Sequence, residues 1–380
     1  MESDEMSIGA NSQNGFASNP NMKIVADYNV ALQVLKSEFF EIPNLYNYLE
    51  RLEQATGMSF EMSRCFVNAS PFFLENERHK LLRQVAVGFL SHSKLKRWDS
   101  FFSEQIKDII NDLPGDRDFD LVANVGMPIF DKIARPLLGV YPSNRKDFDR
   151  IATVLQRMVE PMLPLKQRIQ SEADFRNLIN MLEEATVEAG PGCDNRVKGL
   201  PAASLLEHVQ MEKPFDQLTC YAFVTAMYAA LAPLVQTAVN MLALIYTENS
   251  GRAISAAEFD AQFDRFLHLA TAPKYIHRIA LKSTAIGGSH FSKGTTVLID
   301  IQRAVVTSPE NKQISRHMDF GFGTHFCVGA MLSKRILKEL VPLFMQRFPA
   351  LNAHQKAVDT ELNVAYAYKF YSVSPVAASY

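Results

Sequence analysis

Several familiar signals are missing from this sequence, and each absence removes a class of function. Its four cysteines, Cys65, Cys193, Cys220 and Cys327, form no CxxC pair and no zinc-like spacing. Two disulfides are arithmetically available, but the scatter suits reduced, mostly buried thiols in a cytoplasmic protein. Neither sign of charge is in excess: 39 Lys and Arg face 41 Asp and Glu, a net charge of -2. Nothing in that balance drives the chain toward nucleic acid or an anionic membrane. The first residues, MESDEMSIGANSQNGFASNPNM, lack the basic start and apolar stretch of a signal peptide, and no apolar run reads as a membrane span. Internal repeats and interior low-complexity linkers are also missing. What remains is 380 residues at 47% hydrophobic content, enough for one large core or two modest ones. The expected organisation is a disordered tail over 1–22 and a single domain over 23–380.

Helical periodicity dominates what is there. Apolar residues recur at three- and four-residue intervals over Tyr28 to Ser37, Pro43 to Thr56, His79 to Ser91 and Lys94 to Asp112. Pro43 suits the first turn of its helix, where a missing amide costs nothing. Loop signals fall at Pro114-Gly115, Pro142-Ser143 and Ala189 to Gly192. From Phe215 to Glu248 runs the longest helical candidate, apolar nearly all round, which places it across the middle of the protein. A short β-rich stretch, Tyr275 to Ile301, has Gly287-Gly288 and Lys293-Gly294 as turns. A last long helix is expected over Gly329 to Phe348. The fold class read from this order is mainly α with a small β part.

One segment carries chemistry. In Phe320-Gly-Phe-Gly-Thr-His-Phe-Cys327-Val-Gly329, glycines at 321, 323 and 329 let the backbone turn tightly and approach a flat ligand. A cysteine just before a helix start meets free amides and the helix dipole, which favour its thiolate. Thiolate ligation suits iron, and cysteine is one of the proximal ligands of heme. A random Gly-Cys pair is most often an incidental turn with a buried thiol. The whole pattern F-x-x-G-x-x-x-C-x-G leading into a helix is far more specific.

That pattern resembles the heme-binding segment of the cytochrome P-450 family. The resemblance implies a single large P-450-type fold with heme b held between the long central helix and the helix after the cysteine loop. It makes Cys327 the proximal iron ligand, with Phe320 packed near the sulfur and Gly321 and Gly329 shaping the loop. It also implies partners for the heme propionates, whose burial requires cations or donors. His79 and Arg83, four apart on one helix face, match the family's H-x-x-x-R element. Arg278, in Lys274-Tyr-Ile-His-Arg278-Ile-Ala, and His325 match two further propionate contacts. Read singly, each is more often an ordinary His or Arg. Together they fall in family order from about Leu74 to the C-terminus.

Two departures stand out. The family's central helix carries an acid-alcohol pair that delivers protons to bound oxygen. In Ala229-Ala230-Leu231-Ala232-Pro233, Leu231 and Ala232 replace acid and alcohol, so no catalytic side chain is assigned there. Thr225 and Thr237 lie too far along the helix to substitute. Pro233 is expected to kink the helix, and Ala229, Ala232 and Pro233 to line the substrate pocket. The family's E-x-x-R is also missing: Arg265 and His268 stand at those positions. The segment from Arg303 to Phe320, with Ser308-Pro-Glu-Asn-Lys-Gln, is shorter than the family norm.

The function these features imply is a monooxygenase of a small, largely apolar metabolite, supplied with electrons by a ferredoxin or flavodoxin. Lys334, Arg335 and Lys338, on the helix leaving the cysteine loop, are the candidate docking cations, although a solvated helix face reads the same way. The alternatives keep the heme: peroxide-driven oxidation, dehydration, isomerisation or coupling, or a non-catalytic heme-binding protein. Neither a nucleic-acid partner nor a membrane is expected.

Overall fold

The computed structural model describes residues 21–154, 163–188, 200–211, 215–306, 318–359 and 365–376. These residues are mostly helical, with three small sheets. The chain enters the fold at Asn21, whose carbonyl accepts from the Thr296 amide, and Met22–Val25 forms a strand. The sheet therefore begins within the stretch read as tail, while residues 1–20 lie outside the described residues.

That first strand pairs in parallel with Thr296–Asp300, which pairs antiparallel with Tyr275–Ala280, which in turn pairs with Phe40–Glu41. Met22 and Thr296, far apart in the sequence, are thus fastened into one sheet. The Val/Ile-rich sequence of these strands favours extended backbone, and the sheet covers a small core of its own that includes Val34, Val297, Ile299 and Met318. Met318 lies two residues before Phe320, so this core reaches the base of the cysteine loop. Gly287 and Gly288 turn the hairpin Thr284–Ile286 to Ser289–Phe291 with positive φ, as expected of them. A third sheet joins Phe119–Asp120, Tyr368–Pro375 and Leu351–Val358.

Helix boundaries follow local chemistry. Asp27 caps Tyr28–Lys36, Asn76 caps Glu77–Phe89 by accepting from the His79 amide, and Ser255 caps Ala256–Ala270 by accepting from the Glu258 amide. Two expectations shift. Pro43 lies outside its helix, which begins at Leu45 behind an Asn44 cap. The Lys94-to-Asp112 helix divides into a short helix His92–Leu95, a 3-10 turn and the helix Asp99–Asn111.

The larger correction concerns the centre. The run 217–248 is long and apolar enough to cross a membrane, but most of it is buried inside the fold as a core element. It is two helices, Gln217–Ala229 and Ala232–Glu248. Pro233 has no amide hydrogen to give the Ala229 carbonyl, and its ring crowds that carbonyl. The chain tightens just upstream: the Leu231 amide turns to the Tyr228 carbonyl (3.1 Å) and the Leu234 amide to the Leu231 carbonyl (3.0 Å). The break therefore falls at Ala230-Leu231, before the proline. Both flanks are anchored. The Tyr228 hydroxyl donates to Asp149 (2.7 Å), which pairs with the buried Arg135. Farther on, Asn240 donates to the carbonyls of Ala270 and Tyr366. Gly126 lets its neighbour helix approach closely, since a Cβ there would stand 3.0 Å from Val235.

Candidate heme-thiolate site

The cysteine loop is built as a tight backbone cage. The Cys327 amide donates to the Phe320 carbonyl (2.7 Å), the Gly321 amide to Met318 (3.0 Å) and the Phe326 amide to Gly323 (3.1 Å). Gly321 and Gly323 adopt φ of 76° and 65°, and a Cβ on Gly321 would meet the His325 carbonyl at 3.0 Å. Those two positions require glycine. Gly329 does not: its φ is -88°, and a Cβ there would make an ordinary 3.8 Å contact with the Cys327 sulfur. The helix Ala330–Arg347 follows directly.

The Cys327 side chain is solvent-accessible, yet the surrounding protein is the largest influence on its thiol, and burial raises its pKa. The two facts together describe a side chain opening onto a recess within the molecule. The amides of Gly329 and Ala330 and the Arg83 guanidinium pull the pKa down, as the helix start suggested, but burial outweighs them. Cys65 and Cys220 are also shifted upward by burial, Cys65 to about 11, in keeping with inert thiols. Cys193 lies outside the described residues.

The anticipated propionate residues converge here from three distant segments. Arg83 donates to the Phe326 carbonyl (2.7 Å) and lies close enough to Cys327 to feel its charge. The rings of His79 and His325 stand 4.5 Å apart. His325 Nε2 lies 3.5 Å from Glu75, and Glu75 couples electrostatically to the buried Arg278. His79 Nδ1 meets the Pro71 carbonyl at 2.8 Å, so that nitrogen carries the proton. Its Nε2 is buried without a hydrogen bond among the described residues. Burial, together with the neighbouring His325 and Arg83, keeps the His79 pKa below its ordinary value.

Sequence reasoning missed Glu75. Burial pushes its pKa up, but the His325 donor, the Ile42 amide and the nearby Arg278 pull harder, and the net shift is downward. Its role depends on a contact with a residue 250 positions away, which no local pattern shows.

At the central break, Ala229 and Ala232 are buried, Leu231 and Pro233 half-buried, and Ala230 exposed. The Thr237 hydroxyl is engaged with the Ala272 amide, and Thr225 is fully buried. Arg265 pairs with Glu248, and His268 with Asp319. The segment 308–313 lies outside the described residues. Lys334, Arg335 and Lys338 do not form a bare positive face: they pair with Asp264, with Asp99 and Glu339, and with Asp260, respectively.

A soft thiol opening onto a recess, with buried guanidinium and imidazole groups at its margin, fits a flat iron cofactor that carries two carboxylates. The described residues contain no cluster of three or more metal-ligating side chains, so a metal held here would take Cys327 as its protein anchor.

Comparison with known proteins agrees. Cytochrome P450 CYP107DY1 of Priestia megaterium is 23% identical over 287 residues, covering 72% of this chain and 68% of that protein. Cytochrome P450 165B3 of Amycolatopsis orientalis is 23% identical over 304 residues, covering 76% and 73%. Among solved structures, P450BioI, crystallised with an acyl carrier protein bearing hexadec-9Z-enoic acid, matches with a TM-score of 0.75 at 14% identity over 92% of this chain and 91% of that one. CalO2 matches with a TM-score of 0.75 at 13% identity over 93% and 91%. No family model matches the chain. The chain has the fold of the cytochrome P450 structures, and the curated relatives it matches are all named cytochrome P450s. The site residues suit heme b, the cofactor that P450 relatives and structures bind, and the likeness supports a heme-thiolate oxidoreductase in general.

Proposed function

We propose that this protein is a monooxygenase of a small, largely apolar metabolite, with Cys327 as proximal ligand and with proton delivery that does not rely on an acid-alcohol pair. The observation that carries the reading is the convergence of Arg83, His79 and His325 on the pinned Cys327 loop. When bound, the heme supplies oxygen activation and electron transfer at its iron.

The remaining chemistry belongs to the chain. His79, Arg83, Arg278 and His325 hold the propionates, and the Phe320 carbonyl fixes the Cys327 backbone. Ala229, Ala232 and Pro233 form an apolar pocket wall that excludes water and orients an apolar substrate. Leu231 and Ala232 cannot move a proton. The Ala229 carbonyl, which Pro233 deprives of its helical donor, accepts a hydrogen bond from a substrate hydroxyl or a water and so orients the donor in the recess. A side-chain general acid contributes about 10²–10⁴-fold, and its absence makes the enzyme depend on that donor.

The same apolar substitution favours a second reading, a heme-thiolate enzyme driven by peroxide or catalysing dehydration, isomerisation or coupling. Electrons for the first reading come from a ferredoxin or flavodoxin. Docking at Lys334, Arg335 and Lys338 requires the partner's carboxylates to displace Asp260 and Asp264. The protein is read as cytoplasmic, and the single domain read over 23–380 is extended to the strand that starts at Met22. Turnover of the reconstituted protein with a ferredoxin, its reductase and NADPH is compared with turnover in peroxide. Oxygenated product in the first system supports the monooxygenase, whereas product in peroxide alone supports the second reading.

A further inference from the structure

We propose that His268 is a positioning residue for the thiolate ligand, acting through Asp319 to clamp the base of the Cys327 loop. The inference rests on Cys327 being the iron ligand. His268 and Asp319 are 51 residues apart, both largely buried, with His268 Nδ1 2.7 Å from Asp319 Oδ1. A carboxylate only accepts, so Nδ1 carries the hydrogen and the contact is a charge-assisted bond. Asp319 lies in the 3-10 turn Met318–Phe320. Two bonds from that turn shape the loop: the Met318 carbonyl receives the Gly321 amide, and the Phe320 carbonyl receives the Cys327 amide at 2.7 Å.

The turn thus has an apolar fixture, Met318 in the core beneath the sheet, and a polar one, Asp319 on His268. His268 is in the last turn of the helix Ala256–Ala270, which also packs on the second central helix and on Ala330–Arg347. One imidazole therefore transmits the position of the helical body to the carbonyl that orients the ligand. Arg265, one helical turn earlier, pairs outward with Glu248 and takes no part.

The test is the ferrous-CO difference spectrum and the rate of heme transfer to apomyoglobin, measured on heme-loaded full-length protein. His268→Ala is expected to move at least half of the CO complex from the thiolate-type band to the band of the form lacking thiolate, and to speed heme transfer about tenfold. His268→Asn, whose side-chain amide nitrogen occupies roughly the place of Nδ1, is expected to keep most of the thiolate band. The double variant His268→Ala with Asp319→Ala removes the stranded carboxylate. It is expected to recover thermal stability but not the thiolate band, which separates positioning from mere folding.

If His268→Ala fails to accumulate, the contrast between His268→Asn and Asp319→Ala decides the question in the same way. A wild-type thiolate band and transfer rate in His268→Ala, or equal damage from Asn and Ala, would overturn the proposal. A wild-type protein with no thiolate band would instead overturn the heme-thiolate reading itself, before any His268 variant is made.

Discussion

The cysteine loop and the break in the central helix differ in almost every physical respect. The loop is polar and over-determined: backbone bonds from Met318 to Phe326, two left-handed glycines and the Arg83 guanidinium fix one sulfur. The break at Ala230-Leu231 is apolar, and its geometry comes from the absence of one amide hydrogen at Pro233. On the proposed function, holding the cofactor depends on residue identity, whereas the chemistry over it is left to backbone atoms and to whatever the pocket admits.

The sharpest way to break that contrast is to attack the holding side. Replacing Arg83 and Arg278 together with Ala removes two charge-assisted contacts of about 1.5–3 kcal/mol each. Heme transfer to apomyoglobin is expected to quicken by about 100-fold or more. An unchanged rate would place the propionates elsewhere.

On the other side, Leu231→Asp with Ala232→Thr restores an acid and an alcohol at the break. Burying the new side chains there without partners is expected to cost about 1–3 kcal/mol of stability with the acid protonated, and more if it ionises. If proton delivery limits the natural reaction, coupling of NADPH use to product and the solvent isotope effect change together, by up to about 10²-fold. Unchanged coupling on the true substrate would favour the peroxide or isomerase-type reading.

A smaller effect is set by pH. His277, next to Arg278, is held to a pKa of about 4, by burial first and then by Arg278. Its Nε2 is buried although the residue as a whole is partly accessible. An unfolded histidine titrates near about 6.5, so between the two values the unfolded chain binds more protons. Stability is complete above the unfolded value and falls as pH drops toward 4, by about 3 kcal/mol at most. Denaturant melts of wild type and His277→Gln across that window check this. The variant is expected to show a shallower slope, and parallel curves would assign the acid loss to other groups.

The two regions were also unequally legible. Cys327, Phe320, His79, Arg83, Arg278 and His325 were singled out through a family resemblance at fixed spacing, and the structure brings Arg83, His79 and His325 to the Cys327 loop. Gly329 differs from the other two loop glycines, since its φ of -88° is open to any residue and no turn there requires glycine. Glu75 and the His268–Asp319 pair left no local trace, because each acts across tens to hundreds of positions. The division of the central helix was half-visible. Pro233 announced a kink, but only the rearranged bonds of Leu231 and Leu234 show where it falls. Lys334, Arg335 and Lys338 looked like a docking face because Asp264, Asp99 and Asp260, which pair with them, come from other helices, although Glu339 pairs with Arg335 on the same one.

The central claim is that one sulfur, and no other, holds the iron. Ferrous-CO difference spectra of the wild type and of Cys65→Ala, Cys193→Ala, Cys220→Ala and Cys327→Ala test it directly. The expected result is a thiolate-type band in the wild type and the first three variants, and none in Cys327→Ala. A thiolate-type band that survives Cys327→Ala would contradict the assignment.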